Sequence, residues 1–566
     1  MSIDHRLLDQ VRQHSTELEN HYIDEFVARR LSRRDFLRRG GVVGLSATSL
    51  GVVLTACGGA NNSSPRSSSA GAAAPAKAGG TLRVAVQTPA SAVNPMTLSS
   101  DGDLEMLFQV GDFLVNDNTG RPGPHLQPML ATSWKPNHDG TVWTFKLRPD
   151  VKFHDGRAMT ADDVVYTMQQ QCDPKNAANA LSVFGGILVP AGVMKVDDLT
   201  VAFHLNKPIG SFPYLVSTDN YNCIIVPKGT DFSTWGKTMI GTGPFKLTSY
   251  SENVGANFVA NSSYWAGRPH LDGTAFSFFA SQEPQILALQ GGQVDVVALF
   301  APQGAEGLLD SSQYKILALK TSIHRELSMR CDQPPFNDSR VRRAVALSLD
   351  RPELVKVLLQ NYGSVGNDSP FAPIFASTDN SIPQRTQNIA EAKQLLAAAG
   401  HPNGFSATLF TEEFQEVPQL AQEIAASAKQ VGINISLKVE TQTAYYGNSA
   451  YGDSDWLDGQ MSLVDYGDRG VPDVVLESAL TSNGPWNAAH FKDKTYDGLV
   501  EQYVAAIDLQ TQRSLAGKIE TLLLDQTPVV IPYWIDDLTA TTQMVQGVTA
   551  AASGAVFLKD AAKTVS

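Results

Sequence analysis

Residues Ser406–Phe410 and Ile433–Val439 each carry a short apolar, β-branched pattern, and residues 418–430 between them repeat apolar positions at helical spacing. A strand, a helix and a strand in that order make a crossover unit. The helix carries the chain back along the sheet, so the two strands pair in parallel. That single unit commits this part of the chain to an α/β lobe. Its surroundings agree. Asp338 caps a helix running through Val341, Val345 and Leu349, and Asp350-Arg351-Pro352-Glu353 opens the next. The segment Asn388 to Ala399 ends in Gly400 and Pro402, two helix stop signals. Arg340, Arg342 and Arg343 read as the solvated face of the helix after Asp338.

The earlier half has a different character. Asn137-His138-Asp139-Gly140 forms a turn between Ala131-Thr132-Ser133-Trp134 and a run in which Trp143, Phe145 and Leu147 alternate with polar neighbours. A second hairpin turns at Asp197-Asp198 before Val201, Phe203 and Leu205. Thr160-Ala161-Asp162-Asp163 carries the pattern of a capping box and opens a helix over 161–171. Order begins at Thr81-Leu82-Arg83-Val84-Ala85-Val86, after a segment of Ala, Ser, Gly and Pro over residues 58–79 that has little to bury and reads as a flexible stalk.

At 566 residues the chain exceeds what one hydrophobic core organises. Its net charge of −13 argues against nucleic acid as a partner. Besides Cys57 there are Cys172, Cys223 and Cys331, with no CxxC pair and no zinc spacing. One disulfide is possible at most, with Cys172–Cys223 the candidate. The eight histidines after Cys57 are scattered, and no G-x-S-x-G elbow, Walker loop or H-E-x-x-H occurs. Phe153-His154-Asp155-Gly156 reads as a turn rather than an acid–base site.

Upstream, Ser32-Arg33-Arg34-Asp35-Phe36-Leu37 precedes an uncharged run from Gly40 to Ala56 that ends in Leu54-Thr55-Ala56-Cys57. Arg33 and Arg34 form a twin-arginine export signal, and Cys57 closes a lipoprotein cleavage box. The run is too short and too rich in Gly, Ser and Thr to span a bilayer. Residues 4–30 form a long lead-in with Leu7, Val11, Leu18, Tyr22 and Phe26 near helical spacing, read as a discarded amphipathic segment. The expected product is lipidated at Cys57 and faces the periplasm or the medium, anchored to the membrane through its N-terminal lipid.

Several blocks now resemble one family in its order. They are Leu126-Gln127-Pro128-Met129-Leu130-Ala131-Thr132-Ser133-Trp134, Phe153-His154-Asp155-Gly156 with Thr160-Ala161-Asp162-Asp163, and Gly241-Thr242-Gly243-Pro244-Phe245. Ala288-Leu289-Gln290-Gly291-Gly292-Gln293-Val294-Asp295, Pro335-Phe336-Asn337-Asp338 and Val529-Val530-Ile531-Pro532-Tyr533-Trp534 complete the set. The chain resembles the family 5 extracellular solute-binding proteins, the peptide-type receptors of ABC importers, over about residues 80–560.

That resemblance implies a two-lobed α/β fold of the type II periplasmic-binding-protein kind, with an extra β-rich subdomain on lobe one and a hinged cleft. Residues 1–56 would be signal and 57–79 a lipidated stalk. Lobe one would combine 80–115, 230–320 and 528–566, the subdomain 116–229, and lobe two 321–527, with hinges near 320–328 and 525–532. The implied function is capture of a small peptide or related zwitterion for an ABC permease by a monomer, without catalysis, cofactor or metal. A peptide-sensing receptor, or a binder of an opine, a sugar, a nickel chelate or haem, would use the same fold.

By motif position the residue that meets the ligand's α-ammonium would be Asp465, beside Tyr466 and Arg469, because a desolvated ammonium needs a full opposite charge. Met461-Ser462-Leu463-Val464 lacks the aromatic that the peptide binders carry before this acid. Arg330 stands where many members have Asn and either meets a ligand carboxylate or pairs with Asp332. Tyr445, Tyr446, Trp486 and Asn487 are expected as pocket walls. Trp134, Trp143 and Trp534 are expected in the core.

Overall fold

A computed structural model describes residues 76–564, apart from 78, 91, 99, 121–124 and 552. The export signal and Cys57 lie outside the described residues. Within the expected stalk, Ala76–Lys77 forms a two-residue strand that pairs antiparallel with Thr564 and Lys563. Backbone ladders need no apolar side chain, so composition alone did not mark this pairing.

The architecture is a mixed α/β fold built on one twelve-stranded sheet. Its axis is the strand Tyr314–Met329, which changes partners along its length. Residues 314–320 pair with Tyr533–Thr542, the register then shifts between Lys320 and His324, and residues 324–329 pair with Met461–Tyr466. On one side the sheet continues through Phe405–Glu412 and Ile433–Glu440, which are parallel, as the crossover argument requires. On the other it continues through Val296–Phe300 and Thr81–Gln87, again parallel, and out to Phe245–Ser251.

Two main clusters form the core, and the larger reaches into both sides of the sheet. Leu409, Leu420, Ala421, Ile424, Ile433 and Leu463 belong to one cluster, filled by the buried face of helix Val417–Lys429. Each fully buried Leu or Ile there contributes roughly 1.5–3 kcal/mol from area removed from water. A second cluster joins Val84, Leu107, Phe113, Phe145, Phe203 and Trp143. It includes the four-stranded antiparallel sheet of Ala131–Pro136, Val142–Leu147, Thr200–His204 and Val193–Asp197. Trp143 and Trp534 are buried and Trp134 is half-buried against this core. Helix Ala161–Gln171 starts with the expected capping box, Thr160 N–H donating to Asp163 Oδ2 at 2.8 Å.

The small β-rich unit packs against the helices that follow residue 470. Gly210 N–H donates to the Val504 carbonyl at 2.8 Å, and a Cβ at Gly210 would collide with the Ala506 carbonyl. Cys172 and Cys223 are buried free thiols rather than a disulfide, and burial pushes the Cys172 thiol up to about 12. Arg342 corrects the solvated-face expectation for its helix. It is buried, with Nε donating to the Gln526 and Thr527 carbonyls at 3.0 and 3.1 Å and so satisfying the end of helix Leu509–Gln526.

Candidate functional site

A cavity of about 780 Å³ opens where the two sides of the sheet meet. That volume suits a small ligand rather than a water cluster. Its wall is assembled from segments far apart in sequence: the end of strand Thr81–Gln87, helix Asp101–Val110, residues 281–285 and 298–304, the middle of strand Tyr314–Met329, residues 414–416, 465–469 and 535–537, and Ser553-Gly554. Carboxylates outnumber guanidiniums on this wall nine to two, and no lysine lines it.

Asp465 lies in strand Met461–Tyr466, directly across the ladder from Arg325. The Tyr446 hydroxyl stands 2.8 Å from Asp465 Oδ1 and 2.8 Å from Glu412 Oε1. One hydroxyl proton cannot serve two carboxylate oxygens, so the group needs a second proton. Glu412 carries it: burial first, then the neighbouring Asp465, raise its carboxyl to about 7. Gln442 Nε2 donates to the other Glu412 oxygen at 2.7 Å.

Arg325 does not neutralise Asp465 directly. Its Nε sits 2.9 Å from Glu416 Oε1 and its Nη2 donates to Glu416 Oε2 at 3.1 Å, with both side chains almost wholly buried. The Tyr533 hydroxyl adds a third bond to Glu416 at 3.1 Å. Elsewhere on the wall, Asp468 Oδ1 accepts from the Ser322 N–H and hydroxyl at 2.7 and 2.9 Å. Asp219 Oδ1 accepts from the Gly470 N–H at 2.7 Å, and the Arg469 charge favours the ionised form of both acids. Burial nevertheless raises Asp468 to about 7. Asp536 is paired with Lys320 at 2.8 Å.

A sequence model described as bacterial extracellular solute-binding proteins, family 5, middle region, matches residues 125–487. The chain belongs to this family. Among curated proteins it is 26% identical to heme-binding protein A of Haemophilus influenzae over 433 residues, covering 71% of this chain and 78% of that protein. It is likewise 26% identical to di/tripeptide-binding protein 2 of Pseudomonas aeruginosa over 432 residues, 71% and 80% of the two chains. Among solved structures, HbpA2 from Haemophilus parasuis superposes with a TM-score of 0.75 at 24% identity, covering 86% of this chain and all of that one. The periplasmic murein tripeptide binding protein MppA in its unliganded open form gives 0.74 at 22%, covering 88% and 99%. These likenesses show the two-lobed fold. As a family 5 member the chain is an extracytoplasmic solute-binding protein, and its named relatives are binding proteins rather than enzymes. Among the described residues no helix is long and apolar enough to cross a membrane.

The residues singled out from sequence divide at this family 5 cavity. Asp465, Tyr466 and Arg469 line it. Tyr446 stands behind Asp465 and orients it through the shared hydroxyl. The other four are elsewhere. Tyr445 is fully buried and donates to the Leu463 carbonyl at 2.9 Å, which fixes the strand that carries Asp465. Trp486 packs on the Tyr466 ring at 6.3 Å instead of facing the cavity. Asn487 is buried, its amide closing a turn on Thr481 and Phe491. Arg330 forms a two-pronged pair with Asp332 at 2.8 and 2.9 Å, the second of its two expected roles. Helix and turn geometry aim these groups inward to the protein, a direction that motif position does not encode.

Sequence reasoning missed Arg325, Glu412, Glu416, Glu105 and Asp537. A weak signal existed for two of them. Glu105 interrupts the apolar run Leu104, Met106, Leu107, Phe108, and Asp537 lies between Trp534-Ile535 and Leu538. Acids within buried runs require a reason.

Proposed function

We propose that the cavity captures a small peptide or related zwitterionic solute for an ABC importer, with Asp465 receiving the ligand's ammonium. The observation that carries this reading is Asp465 itself: it lies on the cavity wall, makes no ion pair among the described residues, and is held by Tyr446. A buried ammonium needs such a carboxylate and a positioned one gives direction as well as charge. The sign of the wall supports a cationic head over a porphyrin, whose propionates would meet like charge. The P. aeruginosa relative named for di- and tripeptides supports the peptide class.

In this reading the lobes comprise 80–115, 230–320 and 528–566 on one side, with the subdomain 116–229, and 321–527 on the other. Hinges lie near 320–328 and 525–532, and ligand touching both lobes stabilises their closed arrangement. The register shift between Lys320 and His324 in the longest strand supports a bending point there. Export by the twin-arginine route and lipidation at Cys57 would keep the receptor near its permease at high effective concentration.

Mass spectrometry of solute released from the purified protein tests the reading: a peptide or amino-terminated zwitterion is expected. A purely anionic solute, or turnover of candidate peptides by the protein alone, would overturn it. Deleting the partner permease should abolish uptake; a signalling defect with normal uptake would instead favour a sensing receptor.

A further inference from the structure

The proposed site uses one carboxylate, yet a second acidic group lines the same cavity. Helix Asp101–Val110 brings Asp101 and Glu105 to it, and strand Tyr533–Thr542 brings Asp537. Like Asp465 and Glu283, and unlike the other acids of the wall, they meet no cation among the described residues. Glu416 has Arg325, Asp536 has Lys320, and Asp468 and Asp219 feel Arg469. Among the described residues the Glu105 carboxylate has one hydrogen-bond partner, the Val556 N–H at 3.1 Å on Oε2.

Each of these two acids then has an oxygen left over. Among the described residues Glu105 Oε1 and Asp537 Oδ2 have no hydrogen-bond partner, in residues only 1% and 7% exposed. A buried, unpartnered carboxylate oxygen costs about 1–3 kcal/mol or more, and a fold retains two together only where something else satisfies them. Besides burial and the Val556 N–H on Glu105, what acts on these acids is like charge: Asp101 and Asp537 on Glu105, and Asp468, Asp101 and Asp536 on Asp537. Burial first, and then this like charge, hold both carboxyls well above their ordinary range, so an arriving cation would ionise them and release protons.

We propose that Glu105 and Asp537 form a second cation subsite, so that the ligand carries two cationic nitrogens joined by an aliphatic spacer, one at Asp465 and one at this pair. The inference rests on the peptide reading for its choice of ligand, in which the second nitrogen is the ammonium or guanidinium of a basic side chain. A free diamine shares the chemistry and is separated by the test.

The test is calorimetric titration of the full-length folded protein with alanyl-lysine and with alanyl-norleucine, which has nearly the same shape without the side-chain charge. Alanyl-lysine should bind at least tenfold tighter, and titration in two buffers of different ionisation enthalpy should show protons released by alanyl-lysine in excess of those released by alanyl-norleucine. Glu105→Gln and Asp537→Asn should each collapse that ratio towards one while leaving alanyl-norleucine within about twofold, with melting curves confirming the fold. Asp465→Asn should weaken both peptides alike. A wild-type ratio near one, or a ratio that survives both amide variants, overturns the second subsite and leaves Asp465 untouched. If neither peptide binds, 1,5-diaminopentane decides. Binding lost in Asp537→Asn keeps the subsite and removes the peptide reading, and no binding removes both.

Discussion

Two buried acidic regions face the same cavity and are built in opposite ways. Around Arg325 the charges are paired: the guanidinium lies on Glu416, the Tyr533 hydroxyl bonds the same acid, and Gln415 Oε1 accepts a second bond from Nη2 at 2.8 Å. Around Glu105 the carboxyls have one backbone N–H and each other. Burial is similar in both, so exposure does not separate them. The difference is the presence of a partner of opposite charge, and it assigns the first region to holding the fold and, in our proposal, the second to holding a ligand.

The largest expected effect breaks the complete region. Arg325→Met leaves Glu416 buried and unpaired and should lower unfolding free energy by about 3–5 kcal/mol in denaturant titration, whereas Arg325→Met with Glu416→Leu should recover most of it. A neutral single variant would show that the pair is not what stabilises this wall. Next, Asp465→Ala should weaken an ammonium-headed ligand by about 2–5 kcal/mol in calorimetry, because the cation is left in the cavity without its acid. Unchanged affinity would remove Asp465 from the site.

A smaller, pH-dependent effect follows from the raised acids. Burial lifts Glu412, Asp468 and Asp473 to about 7 and Glu520 to about 8 in the folded protein. Folded pKa values above unfolded ones mean that the native state binds more protons, so these groups' contribution is complete below about pH 4 and lost as pH rises through 7–8. His154 works the other way: burial lowers it to about 4, and its contribution is present above its unfolded value and lost as pH falls towards 4. The ligand-free protein should therefore lose stability between pH 6.5 and 8.5, seen as a falling melting temperature, and Glu520→Gln should flatten that fall. A melting temperature that rises across the window would contradict the pairing argument. The smallest effect is a control outside both regions. Thr160→Ala removes the helix cap on Ala161–Gln171 and should cost about 1 kcal/mol without changing ligand affinity.

Local structure was legible where a side chain's role depends on its near neighbours. The cap residues Asp338, Asp350 and Asn388 each accept the expected backbone N–H at their helix start. Trp143, Phe145 and Leu147 bury one face of their strand as the alternation requires. Arg342 shows where that logic stops. Its helix position reads as solvated, but a helix more than 160 residues later ends beside it and takes its donors. The aromatic pair divides for the same reason: Tyr446 reaches Asp465, while Tyr445, one residue away, points into the core.

By itself the sequence determined the family, the parallel crossover, the hairpins and caps, and one cavity acid, Asp465, because each is written in short-range pattern or in motif order. Only the tertiary structure decided which other acids share that cavity and which of them are paired. Glu105 and Asp537 are 432 residues apart, and Arg325 and Glu416 are 91 apart. Charge compensation is set by distances through space in a low dielectric, and those distances exist only once the sheet has brought the strands together.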